Sequence, residues 1–194
     1  MKYVYIEAKD NKTPEYHFLD AFMRHHKIEN VALVPIGGWT NLKNLSTKMQ
    51  QNLLEGDRVA ILFDADTSTN GGGFAVRLVA IEKVLMDMQI PETDIFLWPD
   101  NTEVGDFEVM LDNIVCIEKH KVFFDCFQDY ENCVSKEYNT PNRKGKFHTF
   151  ITAQKNLNKK QRDRIGSGDW LFDDSNLWNL DSDYMWSLKE FLEK

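Results

Sequence analysis

The 194 residues, 42% hydrophobic and 28% charged, suffice for one soluble domain that needs no disulfide or structural metal to hold its core. A net charge of −8 argues against a protein that coats nucleic acid, and no apolar run approaches the roughly 20 residues of a membrane helix. The opening MKYVYIEAKD does not read as a signal peptide, so no membrane and a cytoplasmic location are the expectation.

KYVYIEA (2–8) is β-rich and ends in an acid, Glu7. Thr13-Pro14-Glu15 carries helix-start chemistry, and Phe18, Leu19 and Phe22 follow at helical spacing. NVALVPI (30–36) is a short apolar run suited to a strand covered on both faces. After Gly37-Gly38 comes a polar helix with Leu42, Leu45, Met49 and Leu53, and then RVAILFDAD (58–66), the strongest strand of the chain. The Gly-rich stretch 67–73 reads as a turn, or as a phosphate cradle that lacks the P-loop lysine. The helix after it, 74–88, is expected to turn Val76, Val79, Ala80, Val84 and Leu85 inward. DIFLWP (94–99) is the fourth strand. Strands and helices alternating over short connections predict a parallel sheet with right-handed crossovers.

The second half is less regular. Residues 107–134 read as helical, 135–146 as a loop, 147–164 as a strand or helix, and 183–193 as a last amphipathic helix. Trp170, Phe172, Trp178 and Trp186 are expected to form a packed lid rather than a base-stacking platform. The three cysteines, Cys116, Cys126 and Cys133, lack zinc spacing, and Cys126 and Cys133 read as buried free thiols within the pattern of Phe123, Phe127, Tyr130 and Val134. Histidines 17, 25, 26, 120 and 148 show no metal or triad spacing. Residues 142–164 carry eight Lys/Arg against one acid, which suits either a nucleic-acid contact or a solvated helix face.

The acids carry the chemistry. Glu7 ends the first strand, Asp64 and Asp66 end the third, and Asp100, Asp106 and Glu108 follow the fourth. A parallel sheet brings such positions to one edge, and an extended backbone would set Asp64 and Asp66 on one face. Crowded carboxylates repel unless a cation lies among them, and oxygen-only donors suit Mg²⁺ or Mn²⁺. Helix caps on a solvated rim are the alternative reading of the same acids.

These residues resemble the Toprim domain shared by topoisomerases, primases and OLD-type nucleases. YIEAKDNK, with Glu7, looks like its first motif; ILFDAD, with Asp64 and Asp66, like its second; and GDFEVML, with Gly105 and Glu108, like the G-x-x-E of OLD-type and small stand-alone Toprim-like proteins. KGKFHTFI and WNLDSDYMWSLKEFL resemble the later part of those small proteins. The sequence departs from the pattern at Ala8, where the family has Gly, and at Asn11, where OLD-type nucleases often carry an acid. The resemblance implies a Toprim-like parallel sheet over residues 1–112, flanked by helices, with a mainly helical extension over 113–194 packed on it. It further implies metal-dependent phosphodiester hydrolysis, a Toprim-type nuclease activity in phage defence or nucleic-acid processing, with Glu7, Asp64, Asp66 and Glu108 as metal ligands. Glu7 doubles as a general base, and Lys144 or Lys146 stabilises phosphoryl charge. Nucleic acid bound through 142–164, a second copy and a partner protein are the partners to consider. A binding module without turnover, a phospho-acceptor receiver domain and a nucleotide-sugar transferase are the competing classes.

Overall fold

The structure is a computed structural model that describes residues 1–194, apart from the side chain of Asn70. Four strands, β1 (Lys2–Ile6), β2 (Val31–Pro35), β3 (Arg58–Asp64) and β4 (Asp94–Trp98), form one parallel sheet in the order β2-β1-β3-β4. Helices α1 (Pro14–His26), α2 (Ser46–Leu54) and α3 (Phe74–Asp87) make the crossovers. The second half is helical: α4 (Phe107–Ile114), α5 (Lys121–Val134), α6 (Arg143–Thr152), α7 (Lys159–Gly166) and α8 (Trp186–Glu193). The α/β class with a helical C-terminal part is therefore as expected from the sequence, and no helix is long and apolar enough to cross a membrane.

The period of two along each strand divides the core. Val4, Ile6, Ala60, Leu62, Phe96 and Trp98 face α1, α4 and the C-terminal half, where they meet Phe18, Phe22, Phe147, Phe150, Phe172, Trp178 and Phe191. Tyr5, Val59, Ile61, Phe63 and Leu97 face α2 and α3, where they meet Met49, Ile81, Val84 and Leu85. Residues 113–194 thus complete, with α1 and α4, one of the two layers that cover the sheet. Trp170, Phe172 and Trp178 are buried there as expected, whereas Trp186 is 63% exposed.

Three local expectations change. Val76 and Val79 point to solvent, and Arg77 takes the inward position at the start of α3 because Asp66 and the Trp39 ring hold its guanidinium. Cys126 and Cys133 are exposed, since Phe123 and Phe127 set the packed face of α5 and the cysteines lie off it. Residues 143–146, expected in a loop, open α6, and of the strand and helix readings of 147–164 the structure takes helix, in α6 and α7, which Asn142 and Asn158 cap through their side chains.

Candidate metal and phosphoryl site

All four strands end on one side of the sheet, and Glu7 and Asp64 lie there side by side, one after the end of β1 and one closing β3. Glu7 accepts hydrogen bonds from the backbone N–H of Trp39 at 3.3 Å and of Asp64 at 3.2 Å. Asp64 Oδ1 accepts from the N–H of Phe107 at 3.0 Å, at the first turn of α4. That turn also carries Glu108, and its N-cap Asp106 accepts from Val109 N–H at 2.9 Å. The two motif segments are joined through their backbones: Asp66 N–H donates to Gly105 O at 2.7 Å, and Gly105 N–H donates to Asp66 O at 3.1 Å. Gly105 has φ 150°, and a Cβ there would stand 3.0 Å from the Val109 side chain, so glycine suits this close approach.

Glu7, Glu15, Asp64, Glu108 and Lys144 line a pocket of about 310 Å³, together with Thr13 and Phe107. The sequence expectation for Glu7, Asp64, Glu108 and Lys144 therefore corresponds to residues brought together. Three others go elsewhere. Asp66 follows the strand in a left-handed conformation, φ 58°, and its carboxylate pairs with Arg77, so it does not share a face with Asp64. Lys146 Nζ pairs with Asp112 at 2.7 Å, an ion pair that also takes in Arg143 at 3.0 Å. Asp100 closes a turn by accepting from the N–H groups of Thr102 and Glu103.

Glu15 belongs to the site and was read from sequence only as a first-turn acid of α1. Its carboxylate accepts from Trp98 Nε1 at 2.9 Å, across the sheet edge. Burial pushes its pKa up to about 8, and the charges of Glu7 and Glu108 push in the same direction. Burial also raises Asp64 well above the usual carboxylate range, with Glu15, Glu7 and Glu108 adding to it. Glu7 and Glu108 are raised for the same leading reason, burial; backbone donors oppose the shift at Glu7, and Lys144 opposes it at Glu108.

The donor chemistry is of the kind that a hard divalent cation takes. All donors are carboxylate oxygens, their crowding favours a positive charge among them, and among the described residues no three of them bring ligand oxygens within 4.8 Å of one another. Mg²⁺ is commonly held by one or two carboxylates and keeps several waters, so such an ion here would take one or two of these acids directly and reach the others through water.

Asp66 has a different part to play. Arg77 is 6% exposed, stacks on Trp39 at 4.5 Å, and keeps its Nε without a partner. Removing the one carboxylate that balances it leaves a buried charge. Asp66→Ala is expected to lower unfolding stability by roughly 2–4 kcal/mol in a denaturant titration, with metal affinity changing far less. A variant as stable as wild type would show that the pair does not support the fold.

Of the eight cations in 142–164, Arg143, Lys146 and Arg164 are already paired with acids of the same chain. The basic strip is thus only in part available to a phosphate backbone. The 67–73 segment is a turn whose glycine amides are taken up within the chain: Gly71 N–H donates to Ser68 O, Gly72 N–H to Thr67 O and Gly73 N–H to Ala65 O.

A family model described as "Protein of unknown function (DUF3226)" matches residues 1–194. No curated protein matches the chain, and no solved structure does.

Proposed function

The chain belongs to the DUF3226 family, and we propose that it is a divalent-metal-dependent phosphodiesterase of the Toprim type that acts on nucleic acid. The observation that supports this reading is the pocket at the sheet edge, in which Glu7, Asp64 and Glu108 meet beside Lys144. Asp64 and Glu7 would hold Mg²⁺ or Mn²⁺, with Glu108 completing the shell directly or through water. Bound there, the cation would supply charge stabilisation at a phosphoryl oxygen and a more acidic water.

The chain's own groups have separate tasks. The Phe107 N–H fixes Asp64 Oδ1, and the Trp39 and Asp64 N–H groups fix Glu7, so both carboxylates are held before any ligand arrives. Glu15 sits as a proton holder behind them, and Lys144 offers a positive charge to a phosphate entering the pocket. A second reading, metal-dependent binding without turnover, draws on the pairing of Asp66 with Arg77, which withdraws one acid of the DxD pair from the pocket.

The test is cleavage of single- and double-stranded DNA and RNA with Mg²⁺ or Mn²⁺, wild type against Asp64→Asn. Metal-dependent cutting that falls by about 100-fold or more in the variant is the expected result. Cutting that survives the substitution would overturn the site. A wild type that binds Mg²⁺ through Asp64 and cuts none of the four substrates would select the binding module.

A further inference from the structure

A second group of potential ligands lies at the far end of α1. His25 and His26 end that helix, and Asp181 lies in the segment before α8. One ligand atom from each lies within 4.8 Å of the others, the one such trio of His, Cys, Asp or Glu among the described residues. The two histidines are adjacent in sequence, so spacing alone gave no sign of a site; the third member is 156 positions from His25.

We propose that His25, His26 and Asp181 form a site for a transition-metal cation of the Zn²⁺ class, with water in the fourth position. The chemistry of the donors separates it from the carboxylate pocket. Imidazole nitrogens favour zinc and its neighbours over Mg²⁺, and two His with one carboxylate is a donor set that leaves an open position. Both rings already have one nitrogen engaged. His26 Nε2 donates to Leu180 O at 3.1 Å, which leaves Nδ1 as the ring atom with a free lone pair. A backbone carbonyl on the other ring nitrogen is the usual support of a metal-bound histidine. His25 Nε2 donates to Asp181 Oδ1 at 2.8 Å, and the proton they share is the one a cation would displace. Ligands about 2.0–2.1 Å from zinc sit roughly 3.3 Å apart in a tetrahedron, so small side-chain rotations suffice to seat the ion.

Access is open on both sides. A cleft of about 270 Å³ is lined by His25, Cys116, Asp173 and Asp181, and a second of about 200 Å³ by His26, Asp181 and Asp183. A bound cation would tie α1 to the 177–183 segment, which is itself fastened to the end of α4 through Asn179 N–H to Ile114 O at 2.8 Å. The site lies about 15 Å along α1 from Glu15, by helical rise, so the two centres are separable by mutation.

The experiment is calorimetric titration of the untagged full chain with ZnCl₂ alone, and separately with MgCl₂ alone. The His25 and Asp181 side chains are 41% and 72% exposed, so His25→Ala and Asp181→Asn leave the core untouched. Zn²⁺ is expected to bind wild type one to one, with affinity reduced at least about tenfold in each variant and retained in Asp64→Asn. Absence of Zn²⁺ binding by folded wild type would overturn the proposal. So would Zn²⁺ binding that both variants keep, which would assign the ion to thiols or to the carboxylate pocket.

Discussion

At pH 8 and without divalent metal, Glu15→Gln should unfold at a higher temperature than wild type, and the difference should vanish as pH falls towards 5. The Glu15 carboxyl is buried against Trp98 Nε1, facing Glu7 and Glu108, and its pKa rises from 4.5 to about 8. The folded state therefore keeps a proton that the unfolded chain gives up. Stability falls with rising pH wherever the native state binds more protons, which for this group spans pH 4.5 to about 8. Below that window both states are protonated and the group is neutral in effect. Above it the loss is complete, on the order of 2–4 kcal/mol once the opening of the pocket to water is allowed for. In a chain of this length that corresponds to roughly 4–16 °C in melting temperature. Glutamine keeps an oxygen for Trp98 and never ionises, so the variant escapes the penalty. Asp64 is raised in the same direction and stays in place, so the variant's slope flattens rather than disappears. Mg²⁺ should act oppositely to protons and stabilise wild type more at pH 8 than at pH 5. Melting curves of both proteins in EDTA, at half-unit pH steps, decide it. A wild type whose stability is flat or rising across the window would show that Glu15 is ionised in the fold.

The strands were legible because each is an apolar run of strand length; Pro or Gly adjoins β2, β3 and β4, and acids follow or close β1, β3 and β4. Burial on both faces follows from that pattern, and with it the edge at which Glu7 and Asp64 meet. What sequence could not resolve depends on where extension stops. The DxD spacing puts Asp64 and Asp66 on one face only if the chain stays extended through both. Here β3 ends at Asp64, Ala65 is buried, and Asp66 turns left-handed to meet Arg77. That same pair turns the start of α3, so Val76 and Val79, expected inside, lie outside, whereas Val84 further along is buried. Glu15 and Trp98 show a second limit. They are 83 residues apart, and nothing in the Thr-Pro-Glu helix start indicates that its glutamate will lie under the end of β4. The C-terminal helices were the hardest to read, because their apolar residues serve a sheet face made by the first half rather than one of their own.

That dependence shows at Gly168, where the C-terminal half lies against the backbone of the first half, and Gly168→Ala should unfold far more easily than wild type. Its φ is +90°, a conformation that side chains rarely adopt, and a Cβ built there would lie 2.1 Å from Lys12 O and 2.9 Å from Lys12 C. Both are backbone atoms, so no rotamer change relieves the overlap. Either the 10–13 segment or the turn after α7 must move by more than an ångström. The neighbouring contact of His17 Nε2 with Ser167 O at 3.1 Å would move with it. A loss of about 3–5 kcal/mol in a urea titration is expected, the range of clashes against a close-packed backbone. Gly166 supplies the control. It lies two residues away at the end of α7, has no positive φ, and a Cβ there meets nothing within 4 Å. Gly166→Ala should be neutral or stabilise by up to about 1 kcal/mol, because it only reduces the freedom of the unfolded chain. Equal stability of the two variants would mean that the turn does not press on Lys12. The expected contrast carries over to function, since Lys12 precedes the Thr13 cap of α1 and Glu15 is in the first turn of that helix. A Gly168→Ala protein still folded at low temperature should then bind Mg²⁺ more weakly than wild type, although position 168 is not among the residues that line the carboxylate pocket.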